Sequence, residues 1–317
     1  MSNYVKIATL GPRPPELSLQ TKPQDVVNYM IDHWQRELAQ VLPDKPDLIV
    51  VPEMGDCPFH GPRDWPYATQ FEYYRIRKNQ IRDFFAQIAK KHNCYMVYAA
   101  IREIEDGSWR NSSVVIDRKG NIAGTYDKNH LVIEERTDRG ILYGQDAPII
   151  ECDFGRVACA VCFDLNFEQL RLKYAAAKPD LLIFSSMYHG GELLQGYWAY
   201  SCRCHFVGAV ACLACQIRNP FGEVLASSTN YRDYAVATVN LDCCLVHYDG
   251  NWDKLKALKA RYGPQVNIHD PGLLGSVLIS STLTGRTGTE MAKEFEIELL
   301  DDYLVRSLEH RCNSIVK

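Results

Sequence analysis

The stretch Val157-Ala-Cys-Ala-Val-Cys-Phe-Asp-Leu-Asn-Phe-Glu-Gln-Leu-Arg171 decides how this chain of 317 residues is read. An apolar strand, Val157 to Val161, runs straight into Cys162, and Asp164 and Asn166 then open a helix that reaches Ala177 with Phe167, Leu170 and Tyr174 on one face. Such a junction presents a side chain at the carboxyl end of a sheet. A helix amino terminus also offers unpaired N–H groups and a positive dipole end, which lower a thiol's pKa and can hold a developing oxyanion. Cys162 is therefore placed to be a thiolate nucleophile. The same residue reads equally well as a packing thiol buried like Cys159, and the segment alone leaves both open.

Working outward, short β-rich runs alternate with helical patterns: Val5 to Leu10, Asp25 to Leu42, Asp47 to Glu53, Glu72 to Asn93. This alternation predicts α/β construction. Val26, Tyr29, Met30, His33 and Leu38 recur at helical spacing, and Pro43 and Pro46 end that segment. From Cys94 to His130 strands follow one another around Asp106-Gly107 and Lys119-Gly120-Asn121, a hairpin-rich antiparallel section. A loop from about Glu134 to Asp146 precedes strands at Ile149 to Asp153 and Val157 to Val161. The order then repeats in outline, with strand Leu181 to Ser185, helix Leu193 to Val207 and strands Ala209 to Ile217 and Glu223 to Ser227. The architecture looks duplicated without a detectable sequence repeat. We expect the main domain over residues 1–242 and a C-terminal extension over 243–317, packed on the same domain or on a neighbouring subunit.

Two further segments bear on Cys162. Glu53 ends the apolar run Asp47-Leu-Ile-Val-Val-Pro-Glu53, and a carboxylate partly screened from water there can have a raised pKa and act as general base. Lys128, in Gly124-Thr-Tyr-Asp-Lys-Asn-His-Leu131, also follows a strand; a fixed ammonium stabilises negative charge on a substrate oxygen and depresses a nearby thiol's pKa. Taken singly, each reads as a solvated residue at a strand end.

Together, Val50-Val-Pro-Glu53, Tyr126-Asp-Lys128 and Cys162-Phe-Asp-Leu-Asn-Phe with Gln169-Leu-Arg171 resemble the nitrilase superfamily of carbon–nitrogen hydrolases. In that family a Glu, a Lys and a Cys occur in this chain order after three separate strands. Pro179 to Ser185, Trp198 to Phe206 and Asn219 to Ala226 fall where family segments of similar wording lie, so the resemblance covers most of the chain. It implies a four-layer αββα sandwich, a single domain with a C-terminal arm. It further implies Cys162 as nucleophile, Glu53 as proton relay, and Lys128 with the backbone N–H of Phe163 as oxyanion donors. A second glutamate beyond the lysine is expected at Glu135, with Glu134 as the alternate, orienting Lys128 or the substrate amide. Glu168 stands where many members have a proline, which alters the first turn of the helix. His60, Tyr188 and His189 are candidate substrate-binding residues, and Trp65 and Glu192 lie on neighbouring loops.

A formal charge of -4 with interspersed signs supplies neither a basic stripe for nucleic acid nor a polybasic membrane anchor. With no export signal read at the amino terminus, the expectation is a cytoplasmic protein whose twelve cysteines are free thiols. Zinc is the rival suggested by Cys202-Arg-Cys204-His205, Cys212-Leu-Ala-Cys215 and Cys243-Cys244, but a helix and an apolar strand are poor frames for compact ligand pairs, so no metal or other cofactor is expected. The implied partner is a small amide, N-carbamoyl compound or nitrile, with amide or N-carbamoyl hydrolysis through a Cys162 thioester preferred over nitrile hydrolysis. A non-catalytic scaffold on the same fold is the remaining alternative. Tyr174, Tyr197, Trp198 and Tyr200 sit on helices of the kind that build the family's dimer interface, so a homodimer or larger homo-oligomer is expected.

Overall fold

The computed structural model describes residues 3–58, 66–187 and 191–315. Close contacts divide these into two compact units, residues 5–239 and residues 240–315 with 3–4.

In the larger unit the elements follow as β1 (Tyr4–Leu10), α1 (Pro23–Leu38), β2 (Leu48–Glu53), α2 (Tyr67–Arg77), α3 (Gln80–His92), β3 (Tyr95–Glu103), β4 (Trp109–Ile116) and β5 (Ile122–Asp127). After the short helix α4 (Ile133–Thr137) come β6 (Ile150–Cys152), β7 (Gly155–Val161), α5 (Glu168–Ala177), β8 (Leu181–Ser186), α6 (Glu192–Cys202), β9 (His205–Val210), β10 (Gln216–Arg218), β11 (Val224–Ser227) and β12 (Tyr234–Asn240). The strands form two six-stranded sheets, ordered β12-β1-β2-β3-β4-β5 and β11-β10-β9-β8-β7-β6. Each is parallel in its middle (β1-β2-β3; β7-β8-β9) and antiparallel where hairpins extend it.

The sheets face one another, β2 lying against β8 and β9. Polar groups inside that interface are paired across it: Thr9 Oγ1 donates to the Gly208 carbonyl and Ser185 Oγ to the Val51 carbonyl, both at 2.9 Å. β2, β8 and β9 are buried along their whole length, as expected of strands covered on both faces. Helix α1 covers the first sheet with Val26, Val27, Met30, Trp34 and Leu38, and α3 with Ile81, Phe85 and Ala89, in one continuous core. Helices α5 and α6 pack on the second. This is the four-layer αββα sandwich.

Several boundaries differ from the sequence expectation. The helical pattern from Glu72 to Asn93 is two helices, because Lys78 takes a positive φ of 43° and turns the chain before α3 begins. The helix expected over Leu193 to Val207 stops at Cys202, since Arg203 is left-handed (φ 57°) and His205 already starts a strand. The run from Ala209 to Ile217 is interrupted by a turn that exposes Cys212, while Cys215 is buried. The loop expected from about Glu134 to Asp146 opens with the helix α4.

In the smaller unit β13 (Cys243–His247), α7 (Trp252–Tyr262), β14 (Val266–His269), β15 (Ser276–Ser281), α8 (Gly288–Glu294) and α9 (Leu300–Ser314) follow in order. Its antiparallel sheet, β13-β15-β14, closes a core of its own that includes Val246, Leu258, Val277, Ile279 and Met291. Among the described residues no helix is long and apolar enough to cross a membrane.

Candidate active site

Glu53 is the last residue of β2, Lys128 follows the last residue of β5, and Cys162 follows the last residue of β7. Parallel strands β2 and β7 thus deliver a carboxylate and a thiol at their carboxyl ends, where open α/β sheets bind ligands. Glu135 enters from α4. The helical phase of that short element separates the two candidate glutamates: Glu134 is exposed and Glu135 is buried.

All four side chains are nearly sealed from solvent, with exposures of 4% for Glu53, 2% for Lys128, 6% for Glu135 and 7% for Cys162. Lys128 Nζ lies 3.0 Å from Glu53 Oε1 and 2.9 Å from Glu135 Oε2, so one ammonium bridges two carboxylates. Asn111 Nδ2 donates to the same pair, at 2.7 Å to Glu53 Oε1 and 3.0 Å to Glu135 Oε1. The amide of Met187, just beyond β8, donates to Glu53 Oε2 at 3.1 Å, and that of Val132 to Glu135 Oε2 at 3.0 Å. The Cys162 thiol lies beside Glu53 and Ser186 and interacts electrostatically with both. Behind Lys128, the Gly144 amide donates to its carbonyl at 2.8 Å; a Cβ on Gly144 would stand 2.0 Å from the Asp127 carbonyl oxygen, so only glycine lets the chain close there.

Cys162 has a φ of 47°, a left-handed conformation rarely taken outside glycine and one that persists only where the surroundings enforce it. Asp164, fully buried, supplies the enforcement. Its Oδ2 accepts from the Val161 amide at 3.0 Å and the Tyr126 hydroxyl at 2.7 Å, and its Oδ1 accepts from the His130 amide and meets His130 Nδ1, both at 2.9 Å. The His130 ring stacks on Phe167 with centroids 4.0 Å apart. One carboxylate thereby ties the turn bearing Cys162 to the segment bearing Lys128. Phe163 follows Cys162 in the same turn, a five-residue 3₁₀ segment, and α5 starts only at Glu168.

The electrostatics overturn two sequence expectations. Burial raises the Glu53 pKa, but the Lys128 charge, the hydrogen bonds from Lys128 and Asn111 and the neighbouring Cys162 thiol outweigh it, so the net shift is downward. Glu53 is an ionised acceptor, not a carboxyl kept neutral. Burial and the neighbouring Glu53 charge push the Cys162 thiol up to about 12, against the smaller pull of Lys128. The thiol is protonated in the resting protein, because the ammonium expected to ionise it is already shared by two carboxylates. Lys128 loses charge preference through burial and regains more from Glu53, Glu135 and Cys162, ending above the usual lysine range. The cluster can therefore accept a thiol proton at Glu53 and present a fixed positive charge beside the sulfur.

Sequence reasoning passed over Asn111, Asp164 and Tyr126. The signal for Asn111 is the run Asn111-Ser-Ser113 ahead of the apolar Val114-Val-Ile116 in the same strand, its three polar residues all buried. His60, Tyr188 and His189, with Trp65, lie outside the described residues. Glu192 turns elsewhere, accepting from Gln216 Nε2 at 3.0 Å. None of the twelve cysteines forms a disulfide, and among the described residues no three His, Cys, Asp or Glu side chains gather as a metal site. A cleft of about 700 Å³ lined by Arg82, Tyr98, Arg102 and Thr125 contains none of the candidate residues. Arg102 there binds Ser112 and Asp127, the strand neighbours of Asn111 and Lys128 that point to the opposite face.

A four-layer sandwich with a buried Glu–Lys–Glu cluster and a thiol at its strand ends is the architecture of the nitrilase superfamily. The chain belongs to the carbon-nitrogen hydrolase family, whose model matches residues 18–244. It is 21% identical to the chloroplastic omega-amidase of Arabidopsis thaliana over 233 residues, 66% of this chain, and so spans 63% of that relative's length. It is 24% identical to an omega-amidase of Danio rerio over 201 residues, 56% of this chain and 73% of the relative. Among solved structures, a variant of the amidase from Nesterenkonia sp. AN1 superposes with a TM-score of 0.62 at 16% identity, over 76% of this chain and 91% of that one. That structure shows covalent addition of the acetamide moiety of fluoroacetamide at its active-site cysteine.

Proposed function

We propose that this protein hydrolyses the C–N bond of a small amide through a thioester on Cys162. The observation that carries the reading is the Lys128 ammonium held at 3.0 and 2.9 Å between two buried carboxylates, one of which lies beside the thiol. As the sulfur attacks the substrate carbonyl, Glu53 takes the thiol proton, so no free thiolate has to exist in a site that disfavours one. Lys128 and the Phe163 N–H hold the oxyanion. Collapse of the adduct breaks the C–N bond, and Glu53 returns the proton to the departing amine or ammonia. Water then attacks the thioester; Glu53 takes one water proton, the acid leaves, and the thiol is restored.

Amides are preferred over N-carbamoyl compounds and nitriles because the relatives named above are amidases. Exposed Leu172 on α5 and Leu193 and Tyr197 on α6 support a homodimer built on these helices; sedimentation at monomer mass would overturn that. The deciding experiment is a screen of ammonia release over amides, N-carbamoyl amino acids and nitriles, with intact-mass detection of an acyl adduct. Turnover on amides and an adduct absent from Cys162→Ala are expected. Turnover that survives in Cys162→Ala sinks the mechanism, and nitrile turnover alone sinks the substrate class.

A further inference from the structure

We propose that Asn111 is a positioning residue whose amide nitrogen clamps the Glu53 and Glu135 carboxylates together and so holds Glu53 against the Cys162 thiol. The inference rests on the acyl-transfer reading above and goes beyond it.

Asn111 is fully buried on β4, on the sheet face opposite Ser112. Both groups before its side chain are carboxylates, which only accept, so the nitrogen must face them and both of its protons are committed, at 2.7 and 3.0 Å. Its side-chain oxygen, Oδ1, is buried with no hydrogen-bond partner among the described residues. A side chain serving packing alone would not strand that oxygen. The main chain adds to the clamp, since the Lys128 amide donates to the Asn111 carbonyl at 2.8 Å.

The role needs two donors, no charge and this reach. Serine has one proton, glutamine is a methylene longer, and aspartate would set a third carboxylate around one ammonium. The other groups that face the carboxylate pair are Lys128 beyond β5, Cys162 beyond β7, and the main-chain amides of Met187 and Val132. Lys128 and the Val132 amide both bond Glu135 Oε2, so Asn111 ties the remaining Glu135 oxygen and fixes the plane of that carboxylate; on Glu53 it adds a second donor to Oε1 while the Met187 amide holds Oε2. With Glu53 held, its carboxylate is aimed at the sulfur. With Asn111 removed, Glu53 turns or takes up a proton, and the thiol loses its acceptor.

The test needs no knowledge of the substrate. Iodoacetamide alkylates Cys162 when the sulfur displaces iodide: the S–C bond forms, the C–I bond breaks, and the thiol proton passes to Glu53. Peptide mass spectrometry after timed labelling between about pH 5.5 and 9 follows all twelve cysteines in the full chain. In the wild-type protein Cys162 should label faster than exposed Cys212 and Cys312, at a rate nearly independent of pH. Asn111→Ser and Asn111→Asp should slow Cys162 labelling at pH 7 by at least about tenfold, the scale of loss expected when a reacting pair is misaligned, and make the rate climb with pH. Circular dichroism and thermal melting establish that each variant is folded; if Asn111→Asp is not, Asn111→Ser, which introduces no charge, decides. Labelling of a folded Asn111 variant at the wild-type rate with the wild-type pH profile overturns the proposal. Wild-type Cys162 labelling no faster than Cys212 would instead overturn the acyl-transfer reading, so the two failures are distinct.

Discussion

Glu53 and Asp56 stand three residues apart, both carboxylates are buried, and each meets a cation, Lys128 in one case and Arg77 in the other. Their surroundings differ in what remains to be done. Arg77 spends its guanidinium on Asp56, the Ile101 carbonyl and the Lys78 carbonyl, and the Tyr73 hydroxyl donates to the Asp56 carbonyl. The adjacent Cys57 thiol is held between Asp56 and Tyr74, and burial raises its pKa well above the usual value. Every group in that cluster is occupied by protein. Around Glu53 a single ammonium serves two carboxylates, and the thiol beside them sits on a left-handed residue at the end of a strand. Burial raises the pKa of Asp56 against the opposing pull of Arg77, whereas the donors around Glu53 outweigh burial and lower it. A buried ion pair is therefore not by itself a sign of chemistry: Asp56 also has a cation and a thiol beside it, and what sets Glu53 apart is its second carboxylate and its place with Cys162 at the carboxyl ends of two strands.

The largest effects should separate the clusters. Cys162→Ser and Lys128→Met are each expected to cost at least about two orders of magnitude in turnover. Lys128→Met should also destabilise the fold, because Glu53 and Glu135 are left buried without their cation, and acidification should restore part of that loss. Near-normal ammonia release in either variant would remove the distinction drawn here. Arg77→Met strands Asp56 in the same way and should lower unfolding free energy by about 3–5 kcal/mol in urea titrations. Its folded fraction should nonetheless label Cys162 within about threefold of the wild-type rate, the margin allowed for sites with no shared partner. A drop as large as that of Lys128→Met would mean that the Asp56 cluster aligns Glu53 and is part of the machinery.

What the sequence disclosed follows from the range of the physics involved. Cys162, Glu53 and Lys128 each stand at or just beyond a strand end, but that local pattern leaves each open, and only the resemblance of the three segments taken together singles them out. α/β construction was legible because strand and helix periods alternate twice, whereas the four-layer sandwich came only with the resemblance to the nitrilase superfamily. The break between α2 and α3 was not, since Lys78 and Asn79 carry no glycine or proline to mark it and the turn is imposed by packing. Choosing Glu135 over Glu134 by position needed the phase of a five-residue helix. Asn111 lies in the hairpin-rich section with nothing local to tie it to the site, and its partners are 58 and 24 residues away. The direction of the Cys162 and Glu53 shifts depends on which charges share Lys128, and no single segment contains that information.

Acid unfolding gives a smaller contrast. Because the folded pKa of Glu53 is depressed below its ordinary value of 4.5, the stability it contributes is present above that value and is lost as pH falls through the folded one. Lys128 is raised above 10.5, so its contribution is complete at neutral pH and is lost only in strong alkali. The urea midpoint should thus stay level from neutral to about pH 5 and fall below it, and Glu53→Gln should flatten the part of the fall that Glu53 causes. An unchanged acid limb in Glu53→Gln would show that the depression is absent.

The smallest effect compares two tyrosines. Tyr73→Phe removes a hydroxyl donor from the Asp56 cluster, and Tyr126→Phe removes the one that bonds Asp164 and accepts from the Asn129 amide at 3.1 Å. Each should cost about 1 kcal/mol of stability, the net value of one buried hydrogen bond. Only Tyr126→Phe should also slow Cys162 labelling, by a few-fold, because Asp164 holds the strained turn on which the thiol sits. Equal labelling by the two variants would mean that the left-handed Cys162 is maintained by the remaining Asp164 bonds to Val161 and His130, and that the positioning of the nucleophile is redundant where that of Glu53 is not.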